Sequence, residues 1–282
     1  MAKRLIINAD DFGLNSSVNE AVERAHTEGI LTSTTMMTNM ADAKKAIKIA
    51  KTLPELGVGV HLNLFKGKPI SSDTKIECLV NKNGDFRYSA PVLAMMASVL
   101  HNVRKAIRIE MAEQIQWLIK KKIKPTHLDS HKHFHCVPAV YSIVCDLARE
   151  FKIGAVRWCW EPKGLDSSPW PLSSAEARKS AKWIRRWAAI NRRQDKSVIK
   201  TEAFVGMTHL GRVDMTFLKA VSLYSHAETT ELMTHPSTED DSDEHFRPVK
   251  FARKAELEAL CDERAKQYFE DAGFELVNYG QL

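Results

Sequence analysis

Short apolar runs and helix-period stretches alternate along the whole chain. "RLIINA" (residues 4–9) has the continuous hydrophobicity of a buried parallel strand. In "SSVNEAVERAHTEG" (16–29), which follows it, Val18, Ala21, Val22 and Ala25 recur at helical spacing, with Asn15 or Ser16 as N-cap and Gly29 as stop. "LTSTTMMTN" (31–39), "ADAKKAIKIAKTL" (41–53) and "LGVGVHLNL" (56–64) repeat the unit as strand, helix and strand. After an irregular segment come the helix "NVRKAIRIEMAEQIQWLIKKK", the strand "PTHLDSH", the helix "AVYSIVCDLAREF" and the strand "GAVRWCW". A Pro/Ser-rich insertion and a helix rich in Lys, Arg and Trp come next, and the alternation ends with "KTEAFVG", "DMTFLKAVSLY", "AETTELMTHP", "RKAELEALCDERAKQYFEDA" and "FELVNY".

Seven or eight strands separated by helices predict an α/β fold with a parallel sheet, closed into a single-domain (β/α) barrel that is distorted or incomplete. No repeat or linker divides residues 1–282. The irregular stretches 65–88, 161–174 and 237–247 all follow strands, where such a fold builds its active site. They predict long loops around the mouth.

Composition narrows the function. With 44% hydrophobic and 27% charged residues, the chain can bury a full core. The net charge of +6 lies mainly on helical faces such as "IKKKIK", and no nucleic-acid motif accompanies it, so no nucleic-acid partner is expected. Five cysteines without C-x-x-C spacing argue against a disulfide framework or a zinc knuckle and fit a reducing compartment. There is neither a signal-peptide pattern nor an apolar run near the ~20 residues of a membrane span. A cytoplasmic location is the expectation.

The chemistry gathers at predicted strand ends. "NADDFG" sets Asp10 and Asp11 side by side, and adjacent carboxylates repel unless a cation or strong donor offsets the charge. His61 ends another strand. In "THLDSHKHFH", His127, Asp129, His131, His133 and His135 share one parity and would face one way along an extended segment. Pro138 and the helix after it force a turn, so only some of the five can be ligands. One carboxylate and two imidazoles would hold a divalent ion and leave positions open for water and substrate. Ligating histidines also need their second nitrogen fixed, for which Asp129 or a neighbouring histidine could serve. One aspartate would then bind the ion and the other remain as a base.

"NADDFG", "VHLNL" and "HLDSHKHFH" together resemble the YdjC-type carbohydrate deacetylases, a family that includes chitooligosaccharide deacetylases and deacetylases associated with hopanoid glycolipid synthesis. "GILTSTTMM", "IKPTHLDSH" and "ELMTHPS" fall in the same order, so the resemblance spans most of the chain. It implies Asp11, His61 and His131 as metal ligands, Asp10 as general base, His235 as general acid at the leaving amine, and Arg157 as the group orienting the base. The implied substrate is an acetylated amino sugar, free or lipid-linked, with Asn63, His133 and Trp170 on its side of the site. A homodimer would be in keeping with the family.

An Asp and two His suit zinc by ligand type, although such sites also accept magnesium, manganese or cobalt. Trp158 and Trp160 read as core packing and Trp170, between two prolines, as exposed. The helix "ARKSAKWIRRWAAINRR" sets Trp183, Ile184, Trp187 and Ile190 opposite a basic side. That pattern fits a surface helix packed on the barrel and, as an alternative, a weak association with a membrane surface. A phosphoesterase on the same residues and a non-catalytic sugar- or lipid-binding protein are the competing functions.

Overall fold

The computed structural model describes residues 3–163, 175–192, 197–240 and 252–282. In order, the elements are β1 (Lys3–Phe12), α1 (Ser16–Thr27), β2 (Ser33–Met36), α2 (Ala43–Thr52), β3 (Gly57–Leu62), α3 (Ala90–Val99) and α4 (His101–Lys120). They continue with β4 (His127–Ser130), α5 (Pro138–Glu150), β5 (Ala155–Val156), α6 (Ala175–Asn191), β6 (Ala203–Val205), α7 (Met215–Tyr224), β7 (Thr229–Thr234), α8 (Arg253–Leu260), α9 (Glu263–Asp271) and β8 (Phe274–Leu276). Every named pairing is parallel, in the order β5-β4-β3-β2-β1-β7-β6, with β8 added beside the start of β1.

The sheet curls into the expected distorted barrel. Its two edges meet through backbone hydrogen bonds from Ile199 to Gly154 (2.9 Å), Val156 to Ile199 (3.2 Å) and Phe204 to Trp160 (3.0 Å). β5 is two residues long, shorter than the apolar run "GAVRWCW" suggests, because the chain leaves regular pairing where these isolated bonds take over.

Strand parity separates an apolar jacket from a polar lumen. Along β1, Leu5, Ile7 and Ala9 join the main apolar cluster with Val18, Ala21 and Val22 of α1, while Ile6, Asn8 and Asp10 take the opposite face. Leu128 and Leu232 likewise face the helices, and their neighbours Asp129 and Glu231 are fully buried on the other side. Gly59 leaves room inside: a Cβ there would lie 2.6 Å from His127 Cε1 and 2.7 Å from its carbonyl oxygen. His127 fills that space and stacks on Tyr279 at 3.8 Å.

α1 begins where Asn15 accepts from the Val18 amide at 2.9 Å, and it buries the four predicted residues. Two elements differ from expectation. α3 lies between the irregular stretch 65–88 and the helix predicted from Asn102, where no element was expected, and the last predicted helix divides into α8 and α9, where Asp262 caps the second by accepting from the Arg264 amide. α6 packs Ala181 and Ile184 against Phe204, Met207 and Met233, leaving Trp183 and Ile190 exposed. Trp158 is buried, stacks on Trp160 and donates to the Ala188 carbonyl oxygen at 2.9 Å. Trp170 lies outside the described residues.

Candidate functional site

Asp10 and Asp11 both come within reach of His61 because β1 is irregular at its end. In a regular strand adjacent side chains point to opposite faces. Here the pairing with β2 slips between Ala9 and Phe12, and Asp11 takes a left-handed φ of 68°. Such a conformation is uncommon outside glycine, and aspartate tolerates it better than most residues. Both acids are buried, side by side.

Asp11 Oδ1 lies 3.2 Å from His131 Nδ1 and 3.5 Å from His61 Nε2, and among the described residues no hydrogen-bond partner beyond those imidazoles reaches it. Its other oxygen accepts from Arg253 Nη2 at 2.9 Å. His61 Nδ1 sits 2.8 Å from Asp129 Oδ1, and Thr35 Oγ1 donates to Asp129 Oδ2 at 3.1 Å. Since the carboxylate can only accept, Nδ1 carries the proton, and with a cation between His61 and Asp11 the Nε2 lone pair would face it beside the Asp11 oxygen. Without one, burial opposes protonation of His61, but the charges of Asp129, Asp10 and Asp11 raise its pKa to about 9. The donor set fits a divalent ion.

Asp10, His61 and Asp129 also cluster, but Asp10 and Asp129 are already committed to Arg157. The guanidinium, wholly buried, holds Asp10 through Nη1 to Oδ2 (2.7 Å) and Nη2 to Oδ1 (2.6 Å). It also meets Asp129 Oδ2 at 2.6 Å and donates from Nε to Glu231 Oε1 at 2.8 Å. Tyr279 donates to the other Glu231 oxygen at 2.5 Å. Burial raises the Asp10 pKa, but the charge and hydrogen bonds of Arg157 outweigh it and hold the group well below the usual carboxylate range.

His235 Nε2 stands 4.0 Å from Asp10 Oδ2, and its backbone amide donates to Glu256 Oε2 at 2.6 Å. Burial, aided by the charges of Arg253 and His61 and opposed by Asp10 and Asp11, lowers its pKa to about 4. Asp10, His61, His131, His133 and His235 line a cavity of about 710 Å³, walled by Met95, Trp183, Ile184, Trp187, Met207 and Leu210. Asn63 is not part of that lining. Its amide closes the loop after β3, donating to the Lys66 carbonyl oxygen (2.8 Å) and to Asn39 (3.0 Å) and accepting from the Phe65 amide (3.0 Å).

The shared parity of the five predicted positions ends with β4. Lys132 and His133 take left-handed φ values of 57° and 50°, turning the chain so that His133 and His135 leave the Asp11 cluster. His133 Nδ1 lies 3.4 Å from Cys159 Sγ, and His135 Nδ1 lies 2.7 Å from Ser130 Oγ. Sequence reasoning missed Glu231, Arg253 and Glu256. Glu231 shares strand parity with His235, a signal that was available; Arg253 and Glu256 carry no local one.

The family model described as YdjC-like protein matches residues 4–271. A carbohydrate deacetylase of Brevibacillus brevis is 32% identical over 282 residues, covering 99% of each chain. One of Thermoanaerobacter pseudethanolicus is 31% identical over 281 residues, again covering 99% of each. A solved structure from Enterococcus faecalis V583, provisionally named for cellobiose-phosphate cleavage, shares the fold with a TM-score of 0.76 at 24% identity, over 100% of this chain and 99% of that one.

Proposed function

The chain belongs to the YdjC-like family, and from that premise we propose that it is a metal-dependent hydrolase cleaving the amide C–N bond of an N-acetylated amino sugar. Its carbohydrate deacetylase relatives support the reaction class. The observation that carries the reading is the buried convergence of Asp11, His61 and His131 beside an Asp10 clamped by Arg157.

Asp11, His61 and His131 would hold the ion, and two imidazoles with one carboxylate favour zinc. A divalent ion there acidifies water and polarises the acetyl carbonyl. Arg157 fixes the plane of Asp10 and keeps it ionised. Asp10 Oδ1 also accepts from Asn8 Nδ2 at 2.9 Å, which leaves Oδ2, the oxygen facing His235, with the freer lone pair. Oδ2 takes a proton from the attacking water. His235, neutral at rest near pH 7, receives that proton at Nε2 and delivers it to the leaving amine nitrogen. His133, at the edge of the cavity, bounds the sugar.

The apolar wall built from α3 and α6 supports a lipid-linked sugar over a free one, with Trp183, 52% exposed, at its rim. Among the described residues no helix is long and apolar enough to cross a membrane. Five cysteines with no disulfide among them support a reducing, cytoplasmic setting.

The test is acetate release from N-acetylglucosamine conjugates, with chitobiose and a glycolipid among them, using chelated protein, zinc-reloaded protein and Asp11→Ala in parallel. Metal-dependent release, lost in the variant and strongest on the glycolipid, is expected. Cleavage of phosphate esters without acetate release would overturn the reaction assigned here.

A further inference from the structure

A second group of metal-type donors lies between the loops that follow β4 and β5. Cys136, Cys159 and His135 are buried. Their donor atoms all fall within 4.8 Å of one another. His135 Nε2 is 3.6 Å from Cys136 Sγ and 3.8 Å from Cys159 Sγ. With metal–nitrogen bonds of about 2.05 Å and metal–sulfur bonds of about 2.3 Å, a tetrahedral zinc site has nitrogen–sulfur edges of about 3.6 Å. The observed separations match that figure before any ion draws them together. His133 Nδ1 lies 3.4 Å from Cys159 Sγ, outside the group of three, and a side-chain movement would have to bring it to the fourth corner.

The surroundings also suit ligation. A ligating histidine needs its other nitrogen held, and His135 Nδ1 lies 2.7 Å from Ser130 Oγ. Ser130 Oγ also accepts from the His135 amide at 2.7 Å, fixing the residue from two directions. Ligation asks two changes of His135: Nε2 gives up a 3.2 Å hydrogen bond to the Arg157 carbonyl oxygen, and the proton moves to Nδ1, where Ser130 Oγ accepts it. Access is available through His133, the member of the group that lines the cavity.

We infer that Cys136, Cys159 and His135, with His133 as fourth donor, form a second metal site that takes a thiophilic divalent ion of the zinc class. Four protein donors leave no position for water, so the site is structural rather than catalytic. It ties the segment carrying His131 to the segment carrying Arg157. The paired cysteines are thus metal ligands and not a dormant disulfide.

Cobalt reconstitution of the chelated full-length protein tests this, read by metal content and by the near-ultraviolet thiolate-to-cobalt charge-transfer band. Asp11→Asn should lose one equivalent of cobalt and keep the band. Cys136→Ser/Cys159→Ser should lose the band and keep the Asp11-dependent equivalent. A wild-type protein that is folded by circular dichroism, binds cobalt and shows no thiolate band overturns the inference, without reference to any variant. So does a band that disappears in Asp11→Asn, or an intact mass showing that the two cysteines have lost their hydrogens to a disulfide.

Discussion

Arg157 and Asp10 meet as two parallel hydrogen bonds, 2.6 and 2.7 Å long, with the guanidinium wholly buried and the carboxylate at the cavity wall. The same guanidinium reaches Asp129 and Glu231, so three strands contribute acids to a single cation. The fork fixes the carboxylate plane of Asp10 as well as its charge, and a point charge cannot do both.

Arg157→Lys should therefore behave as a severe substitution. An ammonium keeps the charge but cannot serve three carboxylates at fixed angles, and hydrogen bonds to charged groups are worth about 1.5–3 kcal/mol each. Denaturant melts should show a loss of about 2–3 kcal/mol, and kcat for acetate release should fall at least about tenfold, by the same arithmetic. An unchanged kcat would remove Arg157 from the reaction.

The paired acids should separate by assay. Asp10→Asn is expected to keep its bound metal and lose about 10²- to 10⁴-fold in kcat, the usual contribution of a general base. Asp11→Asn should lose the equivalent of metal held by Asp11, His61 and His131 together with activity. Metal content measured beside turnover distinguishes the two, and equal metal loss in both variants would contradict the division of roles.

Asp129→Asn acts one step removed from the ion. Asp129 holds the proton of His61 on Nδ1, and an amide in its place can present a donor there and reverse the tautomer. Metal affinity should drop about 10- to 100-fold in chelator competition. Wild-type affinity in this variant would show that His61 is oriented by something else.

Glu256 makes stability depend on pH. Burial, opposed by the His235 amide and the charge of Arg253, raises its pKa from 4.5 to about 7. Between those values the folded chain keeps a proton that the unfolded chain has released, so this group's contribution to stability is present at acidic pH and declines as pH rises toward 7. The full effect is on the order of 3 kcal/mol. In chelated protein, Glu256→Gln should flatten the fall of Tm from pH 5 to 7, and parallel curves for variant and wild type would refute the assignment.

The β/α alternation was legible because buried parallel strands and amphipathic helices have different periods. α3 was not, because exposed Val92, Met95 and Val99 stand among buried Leu93, Ala94 and Ala97, leaving no polar stripe to mark it. At the site, Asp10, Asp11, His61 and His131 could be read from strand ends. Arg253 and Glu256 could not, since an acid–base contact across 242 positions leaves no local pattern. The histidine run turns where Pro138 and the helix after it require: parity holds only while a strand continues, and β4 stops at Ser130.

The left-handed turn at Asp11 makes the two acids an indivisible unit of inheritance. A one-residue insertion or deletion within β1 would preserve both letters of the motif while redirecting the side chains, and a mutation that relaxed the backbone to a regular strand would send the carboxylates to opposite sides of the barrel wall. A lineage could keep "DD" in its sequence and still lose the site. Descent in this protein must preserve a bend as well as a motif.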